Sequence, residues 1–321
     1  MISIFADRID IVLMKKVILG IIILLLSQYG CFTGVENIGK ISDRDVEKVK
    51  ADKQTAEEVF LDSVKPELFI KWKHGKKFIV SDDNFRLILE PSDNYDASTI
   101  GLKGNVITYL GYKYATHFDN SEVVVISFSD GNNIYKYNTG KDITELEKQR
   151  PEYVVPFVID MDYISDMGKK LAGQTYYIKT PLWFNSNHKK VNGVKFVAVD
   201  IVDVAAGDMV YPFHIYFKYK NATYYVSMSS NVSSIKNTTF DKLFSFSDIR
   251  QNYKHITDEN WKLITNGRIK IGMNKEECTL SLGKPKSIDR ATTHGGLYER
   301  WSYDNGAYMI FENGILQKFR R

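Results

Sequence analysis

The 321-residue chain reads as an α+β, strand-rich protein: one or two small antiparallel β modules, barrel or sandwich, followed by an α-α-β-β-β unit. Three observations predict this. Aromatic residues make up 13% of the chain, led by 20 Tyr and 18 Phe, and with the β-branched residues they favour pleated surfaces over helices. Short apolar runs between Leu68 and Met228 are separated by turn signals. Near the C-terminus, two capped helical patterns precede three strands joined by Asn-Gly and Asp-Asn-Gly turns. Hydrophobic residues at 44% and charged residues at 26% are ordinary globular values, so the chain can bury a core, and its length suggests two or three domains.

At the N-terminus, Met14-Lys15-Lys16 precedes the apolar run Val17 to Leu26 and then Ser27-Gln28-Tyr29-Gly30-Cys31. A basic start, an apolar run about half of the roughly 20 residues that span a bilayer, and a small residue at the end describe a cleaved export signal over residues 1–30. Translation from Met14 suits such a signal, since Asp7, Arg8 and Asp10 would otherwise stand in front of it. The Gly30-Cys31 junction resembles a bacterial lipobox, departing from it at Gln28 and Tyr29. That resemblance implies cleavage after Gly30, lipid on Cys31, and Phe32 in a position that favours the outer membrane. Each buried methylene contributes about 0.8 kcal/mol, so two or three acyl chains anchor stably and the membrane is the expected partner.

Residues 31–54 are dominated by Asp, Glu and Lys and read as a solvated tether. A helix is expected from Thr55, where Thr55 and Glu58 make a capping-box pattern and Pro66 marks the end. The first β-rich module, residues 55–150, has expected strands at Leu68 to Trp72, Lys77 to Val80, Phe85 to Leu89, Val106 to Tyr114, Val123 to Phe128 and Ile134 to Tyr137. The polar stretch Thr139 to Arg150 closes it.

A second module, residues 151–250, has strands at Gln174 to Ile178, Val194 to Val204, Phe213 to Tyr219 and Thr223 to Met228. Leu102-Lys103-Gly104 before one strand is echoed by Leu171-Ala172-Gly173 before another, which suggests a tandem. In residues 251–321, Thr257 caps a helix closed by Gly267, and Asn274 with Glu277 caps a second closed by Gly283. Strands follow at Leu297 to Tyr303, Ala307 to Glu312 and Ile315 to Phe319.

These last residues resemble a family. The turn and helix start Gly272-Met273-Asn274-Lys275-Glu276-Glu277, the helix end Leu282-Gly283-Lys284-Pro285, the aromatic strand Glu299-Arg300-Trp301-Ser302-Tyr303 and the hairpin Phe311-Glu312-Asn313-Gly314-Ile315-Leu316 are similar, in order and spacing, to the BamE (SmpA/OmlA) domain of envelope lipoproteins. The resemblance covers about a fifth of the chain and implies protein binding more than any one pathway.

Catalytic patterns are sparse. The six histidines show no HExxH or HxH spacing and no cysteine partner, so no metal is expected. There is no GxSxG elbow, Walker loop or GxGxxG, so no catalytic residue and no cofactor is assigned. Asp160-Met161-Asp162-Tyr163-Ile164-Ser165-Asp166 alternates carboxylates like a calcium loop, but Ile164 occupies a ligand position and the turn glycine is missing. Asp200 and Asp203 read as a solvated strand end, and Cys278, alone in an apolar helix, as a small buried hydrophobe.

The aromatic rows Trp183-Phe184 and Tyr224-Tyr225 read as core before ligand platform. Asp62-Ser63-Val64 fits a short pattern of periplasmic O-glycosylation, making Ser63 a candidate modification site. A net charge of +4, scattered among acids, speaks against nucleic acid as a partner. The expectation is a lipid-anchored, non-enzymatic envelope protein that binds or scaffolds another envelope protein. The rival is a glycan- or peptide-binding protein or hydrolase using residues 66–240, marked by a deep pocket where carboxylates or histidines converge.

Overall fold

A computed structural model describes residues 54–320, apart from residues 94, 97–98, 117–119, 231–234, 236 and 294–295. The expected cleavage and lipid sites, Gly30 and Cys31, lie outside the described residues. Thr55–Arg321 forms one compact unit built on three antiparallel sheets. Strand accounts for 38% and helix for 23%, so the chain is strand-rich and mixes the two.

The capping box at Thr55 forms, with Glu58 N–H on the Thr55 hydroxyl and Thr55 N–H on the Glu58 carboxylate, and it opens the short helix α1 (Ala56–Val59). The next expected strand, Leu68 to Trp72, is instead a 3₁₀ turn at Phe69–Lys71, and of the expected strand Phe85 to Leu89 all but Leu89, which bridges to Tyr137, lies within a second 3₁₀ turn, Asp83–Ile88. The second departure has its cause in side chains. The Asp82 side chain accepts from Asn84 N–H at 2.8 Å, and Asp83 accepts from Leu102 and Lys103 N–H at 3.0 and 2.9 Å, so side chains draw the backbone out of a ladder.

The remaining strands of this region, β1 (Lys77–Val80), β2 (Val106–Thr116), β3 (Glu122–Ser129) and β4 (Ile134–Asn138), run as a meander. The polar stretch after them contains α2 (Ile143–Lys148), capped by Asp142 and burying Leu146. A further strand, β5 (Val158–Asp160), completes the first sheet in the order β4-β3-β2-β1-β5. Its core gathers Phe78, Phe85, Ile107, Ile126, Phe128 and Tyr135.

Asp160 then caps α3 (Met161–Leu171), so the run of alternating carboxylates is a helix start. Tyr163, Met167 and Leu171, spaced by four, face the second core. That core lies under β6 (Thr175–Ile178), β7 (Leu182–Asn185), β8 (Lys190–Asn192), β9 (Val197–Ala206), β10 (Phe213–Tyr219) and β11 (Ala222–Met228), followed by α4 (Phe240–Leu243) and β12 (Phe244–Ser245). The sheet order is β12-β6-β9-β10-β11-β7-β8.

Neither sheet closes into a barrel, and the two strand orders differ. The echo between them is local: Leu102 and Leu171 are both fully buried, and Gly104 and Gly173 both take positive φ, at 85° and 78°. The cores also cross the sequence boundary expected at residue 150. Leu61, with Phe60 and Val64, packs into the second core, whereas Val154, Val155 and Val158 pack into the first.

At the C-terminus, α5 (Asp258–Thr265) is capped by Thr257 and α6 (Lys275–Leu282) by the Asn274–Glu277 box. Four strands follow rather than three: β13 (Ser287–Thr293), β14 (Gly296–Ser302), β15 (Tyr308–Glu312) and β16 (Ile315–Arg320), paired in sequence order. The extra strand β13 has no apolar alternation to announce it. Pairings such as Ile288 with Trp301 and Ala291 with Tyr298 hold it at the sheet edge. Cys278 is fully buried beside Met273, Trp301 and Phe311 in the third core, and burial pushes its thiol up to about 12.

Candidate functional site

A cleft enclosing about 1570 Å³, counting its open mouth, runs between the second sheet and the end of α6. Its floor comes from one hairpin. The β10–β11 register sets His214 opposite Ser227 and Tyr216 opposite Tyr225, so His214 and Ser227 share a face and both line the cleft. The β9–β10 loop adds Asp208 and Tyr211, β7 adds Phe184, and the segment after β6 adds Lys179.

Tyr225 organises the aromatic wall. Its ring stacks on Phe184 at 5.2 Å with 19° between planes and lies 4.5 Å from the His214 ring, and its hydroxyl meets His188 Nδ1 at 3.0 Å. Burial lowers the pKa of His214, against the field of Asp208 and with that of His188, so the imidazole is neutral at pH 7. Burial also raises the Tyr225 hydroxyl.

Asp208 is fixed from its own side. Its Oδ1 accepts from the N–H groups of Val210 and Tyr211 at 2.8 and 2.7 Å, which holds the loop tight. Gly207 is part of the same constraint, because a Cβ there would collide with the Tyr211 carbonyl and press on the His214 ring.

Three lysines line the cleft. Lys242 pairs with Asp241 at 2.6 Å but stays half exposed, and Lys179 donates to the Asp241 carbonyl. Lys195 is buried, and its ammonium donates to the Leu280 carbonyl and, at 2.6 Å, to that of Ser281. Those carbonyls belong to the last turn of α6, which has no intrahelical donors left for them, so Lys195 completes the helix end from the β8–β9 connection. Burial pulls the Lys195 pKa down to about 8.

The cleft can thus hold an anionic group near Lys179 and Lys242 and a flat or apolar group against Phe184 and Tyr225. Among the described residues, no hydrogen bond joins Ser227, His214 and Asp208 into a relay, and no group of three or more His, Cys, Asp or Glu is placed to hold a metal.

The residues singled out in the sequence lie elsewhere. Ser63 is exposed in the turn after α1. Asp200 and Asp203 are exposed on β9, with Asp200 accepting from the Thr175 hydroxyl at 2.6 Å. Trp183 is core, whereas its neighbour Phe184 reaches the cleft. His214, Ser227, Asp208 and Lys195 carry no motif. One signal was available: the Lys220-Asn221 turn lies midway between His214 and Ser227, so a two-residue hairpin there pairs them.

No family model, curated protein or solved structure matches the chain. Among the described residues, no helix is long and apolar enough to cross a membrane.

Proposed function

We propose that this chain is a lipid-anchored envelope protein that binds rather than transforms its partner, taking an anionic segment of another envelope protein into the cleft beside α6. The observation that carries the reading is the cleft's lining: Lys179, Lys242 and the Phe184–Tyr225 stack against a single lining carboxylate, Asp208. The export signal and the Gly30-Cys31 junction support the address, and the similarity of residues 251–321 to BamE domains supports a protein partner. A photo-crosslinking residue placed at Ser227 is expected to trap an envelope protein, and the Lys179→Glu/Lys242→Glu double variant to abolish the crosslink. Crosslinks of equal yield from an exposed control position such as Lys113 would sink the proposal. The anchor is tested apart, by the membrane fraction of Cys31→Ser, which is expected to fall.

A hydrolase is the second reading, favoured by one observation: Ser227, His214 and Asp208 line the same cleft. Apo geometry alone does not discard such a set. Against it, Asp208 is committed to its own loop, and the His214 ring lies against Tyr225. A fluorophosphonate reagent is expected to leave Ser227 unlabelled, and stoichiometric labelling would favour the hydrolase.

A further inference from the structure

The β9–β10 loop has a cavity on each side. Asp208 and Tyr211 line the cleft, whereas Met209, Val210 and Pro212 line a second cavity of about 640 Å³, counting its mouth, between the first sheet and α3. Its walls are apolar, with Trp72, Phe78, Tyr163 and Met209 among them, and its charged lining is wholly acidic: Glu67, Glu152 and Asp160. Lys76, beside the cavity's acids, is buried and already committed, lying 3.0 Å from Asp160, 2.7 Å from Asp162 and 3.4 Å from Glu67. One ammonium therefore faces three carboxylates, and Glu152, half-buried at the same cavity, has no cationic partner among the described residues.

Carboxylates beside an apolar cavity are costly to leave unpaired, and a ligand that brings both apolar surface and a positive charge relieves both costs. We propose that this cavity is a binding site for a small primary amine with an apolar body, its ammonium held by Glu152 and Glu67 and its body lying against Trp72 and Met209. The site is independent of the cleft and opposite to it in charge preference. Surplus acid at one wall of the loop and surplus lysine at the other keep their ligands apart.

Trp72 provides the readout, because its ring lines the cavity while its Nε1 donates to the Glu67 carbonyl at 2.9 Å. The full chain is titrated with hexylamine, hexanol and hexanoate at pH 7, following tryptophan emission and melting temperature. Hexylamine is expected to saturate and to raise the melting temperature, hexanol to bind at least tenfold more weakly, and hexanoate not to bind. Glu152→Gln, which removes no internal hydrogen bond, is expected to weaken hexylamine about tenfold with an unliganded melting temperature no lower than that of wild type. Trp72→Phe is expected to lose the emission change and keep the thermal shift. Hexanoate binding as tightly as hexylamine, no hexylamine binding at millimolar concentration, or full hexylamine affinity in Glu152→Gln would overturn the proposal.

Discussion

The Lys195 ammonium donates to the Ser281 carbonyl across 86 residues of sequence, so the end of α6 is finished by a side chain from the β8–β9 connection. The same connection also reaches α5, since Lys195 N–H donates to the Thr265 carbonyl at 3.0 Å and the Phe196 ring stacks on Trp261 at 5.6 Å.

Lys195 makes stability depend on pH in a stated direction. Its folded pKa of about 8 lies below the ordinary 10.5, so between those values the unfolded chain binds more protons. The cost of burying the charge is present below pH 8 and is relieved as pH rises toward 10.5. Urea unfolding of wild type and Lys195→Met across that range is expected to show the difference moving in favour of wild type. A flat difference would mean that the two carbonyls fully offset burial.

Glu299 gives a dependence of the same sign in the acid range, where stability again rises with pH. Hydrogen bonds from Lys275 at 2.9 Å, Trp301 at 3.1 Å and Arg290 at 3.2 Å, the first being the largest influence, hold its carboxyl below the ordinary 4.5. Its contribution is fully present above pH 4.5 and is lost as pH falls below that value. Glu299→Gln is expected to cost about 2 to 3 kcal/mol at pH 7 and to flatten the acid limb of the stability profile. An acid limb as steep as wild type would assign the loss to other carboxylates.

Gly193 is required by a ring. Trp183 donates its Nε1 to the Thr180 carbonyl at 2.8 Å, which fixes the indole where a Cβ on Gly193 would enter it. Gly193→Ala is expected to destabilise by about 2 kcal/mol, read as a lowered melting temperature, with no loss of secondary structure by circular dichroism.

Cys278 is expected to be inert while the chain is folded. In a Cys31→Ser background it is the sole thiol. Ellman's reagent at pH 8 is expected to find no reactive thiol in the native protein and one per chain in 8 M urea, since burial pushes the thiol up to about 12.

The legible elements were those with local causes. The boxes at Thr55–Glu58 and Asn274–Glu277 and the turn at Asn313-Gly314 each fix geometry within four residues, and the alternating runs of β2, β3, β10 and β11 follow from one-sided burial. What stayed hidden depends on distant partners. β13 has no apolar period of its own, and β5 is three residues that pair with β1 from 80 positions away. The 3₁₀ turn at Asp83–Ile88 is set partly by amides at Leu102 and Lys103. The cleft was hidden for the same reason, since His214, Asp208 and Lys179 meet only when the β6–β7 and β9–β10 connections close around one hairpin.

The docking of α1 sets where mechanical load enters the body. Phe60 lies 4.9 Å from Phe240, 5.0 Å from Phe246 and 6.2 Å from Tyr176, and the Glu57 carboxylate accepts from Phe246 N–H, so α1 is fastened to the second core. The first sheet is then a side branch between Pro66 and Asp160. A pull on Thr55 meets α1 and the second core before it reaches β1. Ribosomal synthesis meets the same arrangement in time: Phe60 is made early but waits for Phe240 and Phe246, so the second core cannot close until nearly 190 further residues have followed it.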